Sequence, residues 1–361
     1  MKHVGLRTNA KDVASQEQLL GFRNKIMNGA QQIAQRGPSA TGVTLSGTYL
    51  TDRWHTFNVS NLGSFVVTLS QENDAPAGTQ FTKSLRVTVT TTQANSSNTV
   101  SGVRQNLEGY DVRPLIGVDC TLSFWVRSSM TGTYCVALRN SGSDRSYIFE
   151  YTVNSANTWE YKTMTLPGGL ITAGTWDWDN VGLRAEWVLQ CGSTYQASAN
   201  TWNTGQLFAT ANQVNFYGAN GGVFAITGVQ LEPGSVATAF ERRPYQMELA
   251  LCQRYYFHVK AADSNHYFGP AICTSTTQAF VPVNFPVTMR AIPATLTQSG
   301  VAANYVLGSS AACNAVPTLS DLTSEHVGVT VWSVASGISA GQAMWGRSNS
   351  TTAFLGFSAD L

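Results

Sequence analysis

The chain is built of short stretches in which apolar and polar residues alternate. Leu85, Val87 and Val89 are interleaved with Arg86, Thr88 and Thr90, and Leu122, Phe124 and Val126 with Ser123, Trp125 and Arg127. Val214 and Phe216, then Val223 and Ala225, continue the habit. Successive strand side chains point to opposite faces, so this period of two, with its β-branched and aromatic bias, predicts half-buried strands. Glycine- and asparagine-rich breaks at 140–144, 167–169 and 218–222 read as the turns between them. Strand after strand from about Thr41 to Val229, with no helix between, predicts a jelly-roll β-sandwich.

Two segments depart from the pattern. Over Lys11 to Met27, Leu19, Phe22 and Ile26 fall at helical spacing and Asp12 can cap the start. This predicts a short helix behind a flexible arm, Met1 to Ala10. Met247, Leu249 to Leu251 and Arg254 predict one or two further helical turns, opened by Pro244. Strands resume at 253–259, 271–277, 280–285 and 327–333, with Pro282, Pro286 and Pro293 expected at edges or loops. The expectation is an all-β protein in three parts. Residues 1–23 form an arm and helix for attachment or oligomerisation, 24–244 the jelly roll, and 245–361 a second, smaller β-sandwich.

Composition narrows the class of protein. The 361 residues suit two β-domains and an arm. Charged residues are 12% of the chain, about half the usual share, and the polarity comes from Ser, Thr, Asn, Gln and Gly. That balance suits β-rich particle proteins. The net charge of +1, with no basic block, leaves no electrostatic footprint for nucleic acid. No apolar run approaches the roughly 20 residues of a membrane helix, so no membrane insertion is expected. Lys2 and Arg7 are followed by no apolar stretch, so the start is not expected to be a signal peptide. None of the six cysteines is paired as C-x-x-C, and they read as buried thiols of a protein made in a reducing cytoplasm.

Candidate chemistry is sparse. Asp177 and Asp179 lie two apart and face one side of a strand. They offer oxygen ligands for Ca²⁺, or an acid and base for glycoside cleavage. Hydrolysis wants a convergent carboxylate cluster, and this chain scatters its few acids. The five histidines lack metal-ligand spacing, and no G-x-S-x-G elbow is present. The segment Gly218 to Gly222 does not open a helix, so it is a turn and not a phosphate cradle. No catalysis and no cofactor are therefore expected, with Ca²⁺ the single open metal. Aromatic surfaces remain, because a sugar's C–H face stacks on an aromatic ring. Most tryptophans of a jelly roll fill its core. Trp176, Trp178 and Trp202 instead lie in Gly-, Asn- and Thr-rich stretches, and with Asp177 and Asp179 they are the expected glycan-binding residues.

Several phrases together carry a resemblance. They open with Asn24-Lys25-Ile26-Met27-Asn28-Gly29, Gln35-Arg36-Gly37 and Thr51-Asp52-Arg53-Trp54. The middle holds 122–129, Thr131-Gly132-Thr133 and Trp159-Glu160. The longest closing phrases are 226–235, Ala237-Thr238, 240–244 and 248–256, followed by Phe285-Pro286-Val287, Met289-Arg290 and Pro293. From Asn24 to about Pro293 the chain thus resembles a family of phage tail fibre and virion structural proteins with a carbohydrate-binding-module-like jelly roll. Ala30 departs from it, where related openings place a large apolar residue. The resemblance implies a virion part made in the host cytoplasm, a homo-oligomer and often a homotrimer. The arm would meet other virion proteins and the sandwiches a host-surface glycan, as in a tail fibre or adhesion protein for host attachment. The alternative is a head decoration, head fibre or baseplate part without receptor binding. In the closing phrase Val229 and Leu231 alternate with Gln230 and Glu232, which predicts a strand with one buried face before a turn at Pro233-Gly234. Phe240 is expected to plug the core. Glu241, Arg242 and Arg243 are expected to pair at the junction, each exposed pair contributing less than about 1 kcal/mol.

Overall fold

The computed structural model describes residues 22–44, 46–59 and 65–361. The expected arm and residues 11–21 of the expected first helix lie outside them. The described chain forms two compact units, one ending at Arg243 and taking in Leu361, the other Pro244–Asp360.

Among the described residues the first unit has twelve strands: β1 (Ser39–Val43), β2 (Trp54–Asn58), β3 (Val66–Glu72), β4 (Ser84–Thr91), β5 (Val100–Glu108), β6 (Cys120–Ser128), β7 (Gly132–Asn140), β8 (Arg145–Val153), β9 (Glu160–Leu166), β10 (Val181–Cys191), β11 (Trp202–Thr204) and β12 (Val223–Pro233). One helical turn, α1 (Gly109–Val112), follows β5. The strands form two six-stranded sheets, β1-β3-β4-β12-β6-β9 and β11-β8-β7-β10-β5-β2. Leu85, Val87, Leu122, Phe124 and Val126 of the first sheet are buried in one cluster with Trp54, Val103, Val136, Phe149 and Trp187 of the second. The Phe124 and Trp187 rings meet edge to face at 5.5 Å, so the two sheets pack as a sandwich.

Alternation also sends side chains to the outer faces. On the second sheet, Phe57, Ala137, Ile148 and Val188 point away from the main core yet are buried with Phe208 and Ala209. Residues 192–210 supply this second apolar layer. Beside it, Glu186 is fully buried and takes two hydrogen bonds from Arg139, at 2.5 and 2.9 Å, and one from Arg104 at 3.1 Å. The Arg139 guanidinium lies 4.0 Å over the Phe208 ring.

Several expectations are corrected in this unit. Residues 22–27 are not helical: Phe22 has φ 64°, and the Asn24 carboxamide bridges Ile26 N and Leu231 N, so this stretch lies along β12. Val214 and Phe216 form no strand. Phe216–Gly218 is a 3₁₀ turn whose Phe216 fills the core, an aromatic anchor read as a strand signal. Gln230 and Glu232 are buried, because residues 238–241 fold back over that face of β12.

The second unit starts with α2 (Tyr245–Gln253), then β13 (Tyr256–Lys260), β14 (Tyr267–Cys273), β15 (Gln278–Asn284), β16 (Thr295–Gln298), β17 (Tyr305–Leu307), β18 (Ala311–Ala312), β19 (Thr318–Leu319), β20 (Val327–Ser333), β21 (Ala343–Ser348) and β22 (Phe354–Ser358). Sheets β13-β22-β16 and β18-β17-β21-β14-β15-β20-β19 enclose Trp332, Tyr305, Phe268, Leu355 and Phe357. Pro282 sits inside the central strand β15, not at an edge. The β14 ladder reaches only Phe280↔Ile272, so no ladder bond needs the missing N–H. The outer face of the seven-stranded sheet carries Tyr267, Pro270 and Ile272 of β14, Phe280 and Pro282 of β15, Val329 and Val331 of β20, and Trp345 of β21. All six cysteines are buried thiols outside any disulfide.

Candidate functional site: two aromatic clusters on the first sandwich

The expected tryptophans meet. Trp176 and Trp178 stack at 5.2 Å with nearly parallel rings, and Trp202 approaches Trp176 edge-on at 6.2 Å. Trp202 enters through β11, opposite Tyr147 of β8, while the other two sit in the β9–β10 connection. That connection is pinned to the β7–β8 turn. The Asp144 carboxylate accepts from Thr175 N and Oγ1, Asn140 Nδ2 donates to Thr175 O, and Ser141 Oγ accepts from Asp177 N. Gly109 allows the backbone of Trp178 to come close, since a Cβ there would lie 2.3 Å from its Cα. All three rings are half-buried against the main core, and stacking covers one face of both Trp176 and Trp178. Asp177 and Asp179 are exposed, and Asp177 Oδ1 accepts from Asp179 N and Asn180 N in a local turn. Among the described residues no group of three or more His, Cys, Asp or Glu side chains is placed to hold a metal ion.

A second aromatic cluster lies on the outer face of the first sheet and went unrecognised in the sequence. Trp125 of β6 and Tyr161 of β9 are direct cross-strand neighbours, with ring centroids 5.4 Å apart and planes at 47°. Phe81, from the β3–β4 connection, meets Phe240 edge to face at 5.0 Å. These four rings, with Ser123, Gly228, Thr79, Gln80, Thr238 and Ala239, line a groove of about 400 Å³. Phe240 is therefore half-exposed in this wall and does not plug the core.

The sequence builds the groove from β12. Gln230 and Glu232 face outward and hold the returning chain: Gln230 Oε1 accepts from Glu241 N at 2.7 Å, and the Glu232 carboxylate accepts from Thr238 N and Oγ1 at 2.8 and 2.6 Å. Arg23 Nε lies 3.4 Å from that buried carboxylate. Phe240 is thereby carried to the groove. A register shift in β12 between Thr227 and Gln230 contains Gly228 at φ +60°. A Cβ on Gly228 would stand 2.6 Å from the Phe81 ring, so glycine lets that ring lie on the strand. The Ser123 hydroxyl, the Gln80 amide and the Tyr161 phenol make no hydrogen bond to any described residue, and Tyr161 is exposed.

A second acid on this face, besides Glu232, is Asp74, bonded to Arg127, two residues along β6 from Trp125. It accepts hydrogen bonds from Arg86 at 2.9 Å, from Trp159 at 3.2 Å and from Arg127. Partial burial would raise its carboxyl, but the Trp159 hydrogen bond and the Arg127 and Arg86 charges hold it below the usual carboxylate value. No carboxylate lines the groove. Its inventory is aromatic faces, hydroxyls and an amide, which suits binding of a polar molecule with C–H faces.

No family model matches the chain, and no curated protein matches it. Among solved structures it is similar to the enzymatically active domain of tailspike protein 4 of bacteriophage CBA120, at 15% identity and TM-score 0.31, over 59% of this chain and 22% of that one. It is similar to the family 11 carbohydrate-binding module of the cellulase Lic26A-Cel5E of Clostridium thermocellum, at 12% identity and TM-score 0.29, over 55% of this chain and 98% of that one. It is also similar to the CBM22-1 xylan-binding domain of Paenibacillus barcinonensis Xyn10C, at 10% identity and TM-score 0.25, over 55% and 95%. At these scores the likenesses carry no functional weight, and this chain spans about a fifth of the tailspike's length.

Proposed function

We propose that the first sandwich binds glycan in the groove between Trp125, Tyr161, Phe81 and Phe240, without cleaving it, and that the chain serves as a tail fibre or adhesion part of a phage virion. The groove carries this reading. Two inclined rings on adjacent strands offer faces for sugar C–H groups, and Ser123, Gln80 and Tyr161 have hydrogen-bonding capacity left for hydroxyls. Its volume lies in the lower part of the range for ligand pockets. The absence of carboxylates from its lining supports binding without hydrolysis. The closing phrases of the sequence support the virion assignment, with synthesis in the host cytoplasm and assembly into the particle. Binding at one such site is weak, and several copies raise it by avidity.

A glycan array probed with the full chain tests the binding. Wild type binds a defined set of glycans, and Trp125→Ala with Tyr161→Ala loses it. Binding of nothing, or equal binding by the variant, contradicts the proposal. Incubation with a captured polysaccharide leaves its chain length unchanged; shortening would make the protein a depolymerase. Antibody labelling of intact particles is expected on the tail, whereas label confined to the head would favour a decoration part.

A further inference from the structure

We infer that the groove takes an acidic glycan, one whose sugars carry a carboxylate or phosphate, and that Arg242 reads the negative charge, a step that rests on the groove being the glycan site. Glu241, Arg242 and Arg243 are the three charges expected from the sequence to pair with one another. Glu241 and Arg243 do pair, at 3.5 Å, and the Glu241 carboxylate also accepts from Phe22 N and Asn24 N at 2.7 and 2.8 Å. Arg242 stays out of that pair. It is exposed, and its Nη2 donates to Gln80 O at 3.1 Å. Its remaining N–H groups make no hydrogen bond or ion pair with any described residue.

The place of that charge gives it a use. Gln80 lines the groove, and Arg242 follows two residues after Phe240, which forms part of the groove wall. The unpaired guanidinium thus stands at the rim. The acids of the same face are already matched. Glu232 is fully buried with Arg23 Nε at 3.4 Å, and Asp74 pairs with Arg86 and Arg127. A second cation, Lys83 of the β3–β4 connection, bonds the Asn73 side chain and pairs with no described acid. An arriving anion therefore meets uncompensated positive charge and, with no carboxylate in the lining, no repulsion from the groove itself. The guanidinium fork presents parallel N–H donors that match two oxygens of a carboxylate or phosphate. The aromatic rings hold the sugar's C–H faces, and Arg242 holds its charged group. A neutral sugar gains no charge pair there, so the site ranks acidic sugars above neutral ones. Because Arg242 is exposed, the gain is modest and falls with salt.

A glycan array holding neutral oligosaccharides beside their uronic-acid and phosphorylated counterparts, probed with the full chain, tests this. Wild type binds acidic members at least about fivefold more tightly than the matched neutral ones. Arg242→Gln narrows that preference to within about twofold. Arg242→Lys keeps the charge without the fork and recovers part of it. Raising sodium chloride from about 50 to about 500 mM narrows the preference of wild type, a reading that needs no variant to fold. Binding by the uronic acids or by the phosphorylated sugars identifies which anionic group is read. Equal binding of matched pairs, a preference indifferent to salt, or one that survives Arg242→Gln overturns the inference. The groove still stands in those cases if Trp125→Ala with Tyr161→Ala abolishes binding. Acidic binding that this double variant retains, or no binding to any member, overturns the groove and its acidic specificity together.

Discussion

In the first sandwich, Ile148 and Val188 point away from the main core and are nonetheless buried, because residues 192–210 lie over them. In the second sandwich, Ile272 and Phe280 also point away from the core on a sheet, and Ile272 is mostly exposed. The same pattern, apolar residues at both parities of a strand, thus has two outcomes. Where the chain supplies its own second layer, the outer face becomes a private core stiffened by a buried charge triad. Where it supplies none, the apolar face stays open to solvent. The first sandwich also uses its other outer face differently. There, polar residues of β12 hold a returning segment and leave an aromatic groove.

The sharpest way to break the first outcome is at Glu186. Replacing it by Gln leaves Arg139, 1% exposed, and Arg104 without their carboxylate. The expected loss is about 3–5 kcal/mol, because an uncompensated buried charge remains. Urea unfolding followed by tryptophan fluorescence measures it. Loss of under about 1 kcal/mol would mean the triad is not buried as described. Phe208→Ala, which opens the covering layer beneath Arg139 and beside Phe57, is expected to cost about 3–4 kcal/mol by the same assay.

A smaller effect separates the two sandwiches by pH. His55, paired in register with Arg104, is buried, and burial and then the Arg104 charge push its pKa well below the usual histidine value. Nδ1 donates to Thr56 O at 3.0 Å and Nε2 accepts from Arg104 Nε at 3.4 Å, the pattern of a neutral ring. Below about pH 6.5 the unfolded chain takes up a proton that the native state refuses. Stability therefore falls as pH drops below that value, with a slope of up to about 1.4 kcal/mol per pH unit. Glu186 acts lower on the scale. Burial would raise its carboxyl, but Arg139 and Arg104 hold it below the usual value, so its contribution is present above the unfolded carboxylate pKa and lost as pH falls through the folded one. Denaturant unfolding between about pH 7.5 and about 5.5 should weaken the first sandwich, and His55→Gln should flatten that dependence. An unchanged slope in the variant would assign the acid sensitivity elsewhere. The smallest expected effect is Val331→Thr, which shifts the stability of the second sandwich in denaturant unfolding by under about 1 kcal/mol because the side chain faces outward.

Much of this was legible along the chain. Alternation marked β4, β6 and the stretch Val327–Ser333, since their buried faces need a period of two. The grouping of Trp176, Trp178 and Trp202 came from their glycine- and asparagine-rich surroundings, which place the first two rings in a connection and the third on the short edge strand β11. Trp125 left a signal that was read only as pattern: it occupies the polar parity of β6, where an aromatic ring must face outward. Tyr161, Phe81 and Phe240 left none, because they join Trp125 through strand order, a β12 irregularity and a fold-back held by Gln230 and Glu232. Those are long-range facts. Phe240 looked like a core plug for the same reason. Its neighbours in sequence are charged, and only the hydrogen bonds to β12 decide which way it turns.

The central claim is that the Trp125 groove, and not the stacked tryptophans, carries the glycan. Calorimetric titration of host-surface oligosaccharide into the full chain, with Trp125→Ala and Trp176→Ala in parallel, tests it most directly. The account predicts that Trp125→Ala loses affinity by at least about tenfold while Trp176→Ala binds within about twofold of wild type. Loss in Trp176→Ala with retention in Trp125→Ala would contradict it.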